Sequence, residues 1–265
     1  MFVHGFPELA YSWRHQLPAL AEAGRRAIAF DLRGYGRSSK PEAVEAYSLE
    51  SLVGDVIGLL DSLGLDRVAL VGHDWGSIVL WSTVVLHPDR VASAVSLNVP
   101  YRGWCCGFPN TQIIEKQLAD RFSYVLSFQE AGRPEKSFEK DPAGWLGRIY
   151  RGVAREPDFM TDDEFAVYLD AFAEGGISGP INYYRNIDAN WAATAYLADR
   201  SIEAPTLVIA ADSDPILPVT LTEGMDRWVK DLRVEVVEYC GHWTQQEQPE
   251  RVNELLVEFF GSIGS

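Results

Sequence analysis

The fold is decided by the stretch Val68-Ala69-Leu70-Val71-Gly72-His73-Asp74-Trp75-Gly76. Its apolar start is typical of a buried strand, and the residues that follow, from about Ser77 to Leu86, predict a helix that Pro88 ends. A strand that turns sharply into a helix at Gly-x-Asp-x-Gly has the layout of a nucleophile elbow, with aspartate where serine is commoner. The stretch therefore predicts that Asp74 is a nucleophile, although the short motif alone also fits a loop aspartate that caps a helix.

Predicted strands and helices alternate on both sides of this elbow. Apolar runs predict strands at residues 1–3, 26–30, 68–71, 91–97, 205–210 and 234–237. Helical spacing and turn signals, such as the N-cap Ser48 and the stop Gly64, predict helices at residues 48–63, 77–86, 218–230 and 249–260. This alternation indicates an α/β protein with a mostly parallel sheet and helices on both of its faces.

The alternation is interrupted between residues 100 and 198, where the sequence is helical and aromatic and has no strand-like run. Thr161-Asp162-Asp163-Glu164 is a capping box that opens one helix, and a second helix is predicted over residues 181–197. We therefore expect an all-helical cap, or lid, at residues 100–198. Residues 1–99 and 199–265 are then the first and second parts of the α/β core.

The composition favours a small neutral or apolar partner. Of the 265 residues, 47% are apolar, but no apolar run reaches the ~20 residues that a membrane span needs. The net charge of −15 repels nucleic acid phosphates and anionic membrane surfaces. Three cysteines, Cys105, Cys106 and Cys240, are too few and too poorly spaced for a disulfide framework or a metal site. Together with the absence of a signal-like segment, reduced thiols predict a cytoplasmic protein.

Two further residues complete a catalytic triad with Asp74. Asp214 follows one predicted strand and His242 follows the last one, so the chain order is nucleophile, acid, base, as in α/β-hydrolases. The acid is needed to hold the tautomer of the imidazole and to stabilise the imidazolium. Asp212 competes for the role of the acid. We favour Asp214 because it lies further out in the loop, where the histidine is expected to arrive.

An oxyanion site is expected beside the nucleophile. Trp75 lies at the N-terminus of the predicted helix, where its backbone amide can stabilise negative charge. Phe6, in the turn His4-Gly5-Phe6-Pro7, is expected to supply a second amide, although this short motif by itself also fits a plain turn.

An aspartate nucleophile restricts the substrate. Its attack on an ester or amide carbonyl would give an anhydride, whereas attack on a saturated carbon gives an alkyl ester that water can cleave later. The natural electrophiles are therefore epoxides and alkyl halides. They differ in their leaving groups, since an opened epoxide is an alkoxide that needs a proton donor and a halide needs only N–H dipoles.

Over nearly its whole length the chain resembles the soluble epoxide hydrolases of the α/β-hydrolase superfamily. The resemblance is carried by five segments: His4-Gly5-Phe6-Pro7-Glu8, Asp31-Leu32-Arg33-Gly34-Tyr35-Gly36, Gly72-His73-Asp74-Trp75-Gly76, Tyr183-Tyr184-Arg185-Asn186 and Cys240-Gly241-His242-Trp243-Thr244-Gln245. It implies hydrolysis of an epoxide to a vicinal diol through an alkyl ester on Asp74, without a cofactor.

The resemblance also implies that two tyrosines of the cap bind and protonate the epoxide oxygen. Tyr124 is the candidate for the first, because the residues around it resemble the family segment that carries it. The Tyr-Arg-Asn match makes Tyr184 the second, a choice over Tyr183 that the residues alone do not make. Nearby aromatic side chains are expected to make the substrate pocket apolar, namely Phe6, Trp75 and Trp243.

The start of the chain departs from the family pattern, in which two strands and most of a third precede His-Gly-x-Pro. This departure predicts missing N-terminal strands, from a gene fragment or a misplaced start codon, and a truncated inactive fragment is one alternative reading. The nearest alternative enzyme is a haloalkane dehalogenase with the same aspartate nucleophile. Phe6 disfavours it, because those enzymes often have His-Gly-Asn-Pro at this point.

Overall fold

The computed structural model describes residues 1–103 and 109–263, and their centre is a six-stranded parallel sheet with strand order β2-β1-β3-β4-β5-β6. The strands are β1 (Phe2–Val3), β2 (Ala29–Phe30), β3 (Val68–His73), β4 (Val91–Leu97), β5 (Thr206–Ala211) and β6 (Leu232–Val237). The predicted α/β class and parallel sheet are confirmed. β2 is shorter than the predicted 26–30, and β1 pairs with β2 and β3 over two residues on each side.

Helices cover both faces of the sheet and one edge of it. They are α1 (Gln16–Glu22), α2 (Leu49–Ser62), α3 (Trp75–Leu86), α4 (Thr111–Ile113), α5 (Ala119–Phe128), α6 (Arg133–Lys140), α7 (Pro142–Val153), α8 (Asp162–Gly175), α9 (Ser178–Arg185), α10 (Ile187–Thr194), α11 (Thr244–Glu247) and α12 (Pro249–Ser262). A π-helical stretch at Ile114–Leu118 joins α4 to α5. Helix α1 packs with α12, and α2 packs with α3, as expected for a sheet with helices on both faces.

Alternating strand residues build two apolar cores, one on each face of the sheet. Val71 and Leu207 face the core that α1 and α12 complete. Leu70 and Val208 face the opposite core. This core includes α2, α3 and aromatic side chains of the chain segment that connects β4 to β5. This split follows from the two-residue period of a strand, since successive side chains point to opposite faces.

Two predicted helices are wrong in detail. Residues 218–230 form only two short 3₁₀ turns, because Gly224 between them has a left-handed φ of 76° that no helix continues through. The single helix predicted over residues 181–197 is divided into α9 and α10 at Asn186. The side chain of Asn186 donates to the backbone carbonyls of Val44 and Asn182, at 2.6 and 2.8 Å, and so anchors the break to the core.

The helices between β4 and β5 form one helical insertion, which we define as α4 to α10. The predicted capping box is present at its α8, where Thr161 and Glu164 bond reciprocally. No helix among residues 1–103 and 109–263 has the length and apolar character to cross a membrane. Cys240 is a buried free thiol, whereas Cys105 and Cys106 lie outside the described residues.

The turn between β3 and α3 depends on two glycines. A Cβ atom at Gly76 would lie 2.0 Å from the carbonyl oxygen of Val3, and one at Gly72 would lie 2.5 Å from the carbonyl oxygen of Gly76. Helix α3 is therefore pressed directly against β1 and β3 at its N-terminus. The contact brings the residue between the glycines, Asp74, to the carboxyl edge of the sheet, with a φ of 51° and a ψ of −121°.

We expect Gly76→Ala to lower the free energy of unfolding by about 3 kcal/mol, because the added methyl group meets backbone that cannot rotate away. Gly58→Ala is the matched control. Gly58 is exposed in the middle of α2, and a Cβ atom there meets nothing within 4 Å. That control is expected to raise stability by about 0.5–1 kcal/mol through helix propensity. Chemical denaturation measures both changes, and equal stability of the two variants would contradict the tight packing of the elbow.

Candidate active site

Asp74 is held by backbone donors at the turn between β3 and α3. Its side chain is buried, with 7% of the residue exposed. The amide of Phe6 donates to Asp74 Oδ1 at 2.8 Å, and the amide of Trp75 also bonds the carboxylate. Burial raises the pKa of Asp74, and His242 and these two amides oppose that shift. The two amides that the sequence predicted for an oxyanion therefore converge on one carboxylate.

His242 and Asp214 approach Asp74 from the loops after β6 and β5. His242 Nδ1 lies 2.8 Å from Asp214 Oδ2, and His242 Nε2 lies 3.7 Å from Asp74 Oδ2. The first distance is a hydrogen bond and the second is longer than one, so the ring is held by Asp214 and faces Asp74. The amides of Ile216 and Leu217 donate to Asp214 Oδ1. Burial opposes ionisation of Asp214, but His242 and these amides lower its pKa to about 2.

Asp212, the competing candidate for the acid, bonds backbone amides. It is exposed and accepts hydrogen bonds from the backbone amides of Tyr239 and Cys240. A residue that the sequence reasoning missed, Asn98, supports the acid. Its Nδ2 donates to Asp214 Oδ2 at 2.7 Å, and its Oδ1 accepts from the Thr244 hydroxyl at 2.7 Å.

The pKa of His242 is set by the carboxylates around it. Burial by itself would lower this pKa, but Asp214 and then Asp74 raise it to about 9. At neutral pH the resting site therefore contains an imidazolium ring between two carboxylates. The ring carries a proton until the negative charge beside it is reduced.

A buried polar cluster lies beneath the site and was also missed by the sequence reasoning, although Glu8 belongs to a quoted motif. Glu8 Oε2 accepts from the Gly5 amide at 2.9 Å and lies 2.7 Å from His73 Nδ1. Glu8 Oε1 accepts from the side-chain amides of Gln245 and Gln246, at 2.8 and 2.9 Å. One carboxylate thus joins the turn after β1, the end of β3 and helix α11 after β6.

The two tyrosines expected from the helical insertion both reach the site. Tyr124 and Tyr184 have ring centroids 5.8 Å apart at an angle of 77°, and both line the cavity above Asp74. Burial, and the negative charge of Asp74, raise the pKa of both hydroxyl groups, so each keeps its proton. Tyr183 points elsewhere, since its hydroxyl donates to the carbonyl of Arg33 at 2.8 Å.

The cavity has two branches that meet at Asp74, Tyr124 and Ile216. The first branch has a volume of about 220 Å³ and is lined mainly by aromatic side chains, including Phe6, Phe128 and Trp243. The second branch has a volume of about 270 Å³ and is lined mainly by aliphatic side chains. A substrate can therefore place one substituent on each side of the reacting carbon.

One of the three predicted pocket aromatics, Trp75, does not line this cavity. Its ring is buried behind the pocket wall, with ring centroids 5.4 and 5.1 Å from those of Tyr183 and Tyr184. Phe6 and Trp243 line the first branch as expected. Among residues 1–103 and 109–263, no group of three histidine, cysteine or acidic side chains is arranged to hold a metal ion.

Comparisons with known proteins agree with this geometry. A family model for the alpha/beta hydrolase fold matches residues 1–249. Epoxide hydrolase A of Mycobacterium tuberculosis is 40% identical, over 99% of this chain and 90% of its own length. Bifunctional epoxide hydrolase 2 of Sus scrofa is 35% identical over 97% of this chain, which spans 50% of that protein.

Solved structures give the same result. The crystal structure of epoxide hydrolase A from Mycobacterium thermoresistibile has a TM-score of 0.90 at 38% identity, and the match covers 97% of this chain and 89% of that one. An epoxide hydrolase from an endophytic Streptomyces has a TM-score of 0.89 at 33% identity, covering 99% and 88% of the two chains. At these identities the similarity includes the amino-acid sequence as well as the fold.

Removing the charge of Asp74 is expected to make His242 less basic. In the unchanged protein the ring should lose its proton only near pH 9. In Asp74→Ala the remaining pair of His242 and Asp214 has one negative charge fewer beside the ring, so deprotonation shifts to lower pH. NMR titration of the histidine ring measures both midpoints. Equal midpoints would show that Asp74 does not act on the protonation of His242.

Proposed function

The chain belongs to the epoxide hydrolases of the α/β-hydrolase fold family, and we propose that it opens the epoxide ring with the Asp74 carboxylate. The single observation that carries this proposal is the cavity that the buried Asp74 carboxylate shares with Tyr124 and Tyr184, whose hydroxyl groups are close enough for its charge to raise their pKa values. A nucleophile that faces two proton donors suits an electrophile whose leaving group is an alkoxide. A halide requires no proton, so this pair supports the epoxide rather than an alkyl halide.

In the first step, Asp74 attacks one ring carbon. The C–O bond to the epoxide oxygen breaks, and that oxygen takes a proton from Tyr124 or Tyr184, which hold it by hydrogen bonds. Asp74 Oδ1 is held by the amide of Phe6 at 2.8 Å, so the other carboxylate oxygen is the one directed at the substrate. The product is an alkyl ester of Asp74 with a neighbouring hydroxyl group.

In the second step, water cleaves the ester. Esterification removes the negative charge of Asp74, one of the groups that raise the pKa of His242, so the ring becomes able to release its proton. This proton returns to the tyrosine that protonated the epoxide oxygen. His242, oriented by Asp214, then takes a proton from water, which attacks the ester carbonyl. The Phe6 and Trp75 amides hold the resulting oxyanion, and its collapse releases the diol and restores Asp74.

The helical insertion acts in this proposal as the cap of the site. It supplies Tyr124 and Tyr184, and the Tyr150 hydroxyl fastens it to the core by donating to the carbonyl of Pro7 at 2.6 Å. Its aromatic side chains exclude water from the first step and leave the site apolar.

The cytoplasmic location expected from the sequence stays a prediction.

His242→Gln is expected to stop the reaction at the ester. Asp74 is already ionised and needs no base to attack, whereas the attacking water does. The variant, mixed with styrene oxide, should gain the mass of the substrate in a one-to-one ratio, and peptide mapping should place this mass on Asp74. A folded variant that binds the epoxide and gains no mass would favour direct attack by water.

The oxygen atoms give an independent check on the ester. In a single turnover of the unchanged protein in ¹⁸O-water, the diol should carry an oxygen of Asp74, and the label should remain in the protein. Chlorobutane serves as the comparison substrate, since release of chloride from it with no diol from styrene oxide would favour a dehalogenase.

Tyr124→Phe and Tyr184→Phe should each slow ring opening by about one to two orders of magnitude, because each removes one contact of a general acid. The double variant should nearly abolish opening. Tyr183→Phe is the matched control, since Tyr183 is adjacent in sequence but bonds the carbonyl of Arg33. Stopped-flow measurement of ester formation reports the step directly. A double variant that opens the ring at the normal rate would exclude both tyrosines.

A further inference from the structure

The backbone that carries His242 is fixed by hydrogen bonds. The His242 ring bonds Asp214 through Nδ1, but its Nε2 lies 3.7 Å from Asp74 Oδ2, which is too long for a hydrogen bond. The distance between His242 and Asp74 is therefore set in part by the backbone. The His242 amide donates to the carbonyl of Val153 at 2.9 Å, and the His242 carbonyl oxygen lies 2.8 Å from His73 Nε2.

Glu247 holds the chain on both sides of His242. Its Oε2 accepts from the amide of Gly241 at 2.9 Å, and its Oε1 accepts from the amide of Trp243 at 2.9 Å. Glu247 is the last residue of α11, so its side chain reaches back over one turn to the loop that precedes this helix. An ionised carboxylate makes these bonds stronger than a neutral acceptor would.

The same carboxylate reaches the helical insertion. Glu247 Oε2 also accepts from the amide of Arg155 at 2.7 Å, which joins residues 92 positions apart in the chain. Arg155 follows helix α7, whose last residue is Val153, the partner of the His242 amide. The two segments touch directly, since a Cβ atom at Gly241 would lie 2.4 Å from the nitrogen of Arg155.

Capping of the short helix α11 does not explain this arrangement. A cap satisfies the free amides at the start of a helix, and the bond from Trp243 does so for α11. The bond from Arg155 instead joins the insertion to the loop after β6, a separate part of the fold. One half-buried carboxylate thus connects the end of α7 to both neighbours of His242.

We propose that Glu247 is a positioning residue, which keeps His242 at its working distance from Asp74 by joining the histidine loop to the docked insertion. Glu247 lines neither branch of the cavity, so it acts through the backbone of that loop. The inference rests on the proposed function, because it assigns a residue to the second step of that reaction.

The two steps should respond differently to the loss of this contact. Attack by Asp74 needs no base, and the tyrosines that protonate the epoxide oxygen lie on α5 and α9, away from the end of α7. Hydrolysis of the ester needs the His242 ring beside the attacking water, and a small displacement of a catalytic group slows a reaction strongly. Glu247 therefore matters for the step in which water attacks.

Glu247→Gln tests this difference. The variant keeps the size of the side chain, but its NH₂ group replaces one acceptor oxygen and faces a backbone N–H group. We expect ester hydrolysis to slow by about ten- to a hundredfold, and ester formation to stay within about twofold, so that the ester accumulates on Asp74. Rapid-quench mass spectrometry with styrene oxide measures both rates.

Glu254→Gln is the matched control. It removes one negative charge from the surface of the neighbouring helix α12, where Glu254 pairs with Arg251. Both rates should stay unchanged in this variant, which separates the contacts of Glu247 from the loss of a charge.

Hydrogen exchange tests the contact without a substrate. The amides of Gly241, Trp243 and Arg155 should exchange faster in Glu247→Gln than in the unchanged protein, because each loses or weakens its bond to the side chain. Amides of the central strand β5 should keep their rates, which shows that the variant is folded. NMR resolves the individual amides.

The outcomes distinguish the two proposals. Equal slowing of both steps, an unchanged rate of ester hydrolysis, or unchanged exchange at all three amides would overturn the positioning role while epoxide hydrolysis stands. An unchanged protein that forms neither ester nor diol from styrene oxide would reject the proposed function, and the role in its second step with it. Selective slowing of ester hydrolysis, with faster exchange at the three amides, supports the role of Glu247.

Discussion

The arrangement of the site depends on the hydrogen bonds of the buried Glu8 carboxylate. It bonds His73 at 2.7 Å through Nδ1, and His73 Nε2 lies 2.8 Å from the carbonyl oxygen of His242. Both ring nitrogens of His73 therefore lie against oxygen atoms, and the ring links the Glu8 carboxylate to the backbone of His242. Burial opposes the charge on Glu8, but His73 and the Gly5 amide lower its pKa to about 2.

This pair lies where the three loops of the site converge. Removing the His73 ring would leave a buried oxygen of Glu8 without this hydrogen-bond partner, which costs about 1–3 kcal/mol. This cost would fall on the carboxyl edge of the sheet, because Glu8 follows β1, His73 ends β3 and the carbonyl of His242 follows β6. The position of His242 relative to Asp74 is in this way tied to the contact between Glu8 and His73, which line neither branch of the cavity.

The sequence predicted those parts of the site whose residues are consecutive in the chain. The elbow could be predicted because a strand, two glycines and a helix lie within one short stretch, and because Asp74 lies between those glycines. The order of Asp214 and His242 followed from the strands before them. The helix predicted over residues 218–230 failed, since apolar spacing there was outweighed by Gly224, whose φ of 76° ends a helix. Local pattern could not reveal that backbone angle.

Contacts between distant segments were beyond the sequence for a physical reason. Tyr183 and Tyr184 are neighbours on α9, and only the packing of this helix on the core sends one hydroxyl to the carbonyl of Arg33 and the other ring into the cavity. Neighbouring side chains on a helix point about 100° apart, so the orientation of α9 against the core decides which tyrosine reaches the cavity. The same holds for Asn98, whose bond to Asp214 spans more than a hundred residues. Asp74 and His242 thus lie in motifs at the sheet edge, whereas the positions of Tyr124 and Tyr184 and the shape of the cavity depend on how the helical insertion packs on that edge. The walls of both cavity branches come mostly from segments that the motifs do not include, so the motifs alone do not specify the substrate.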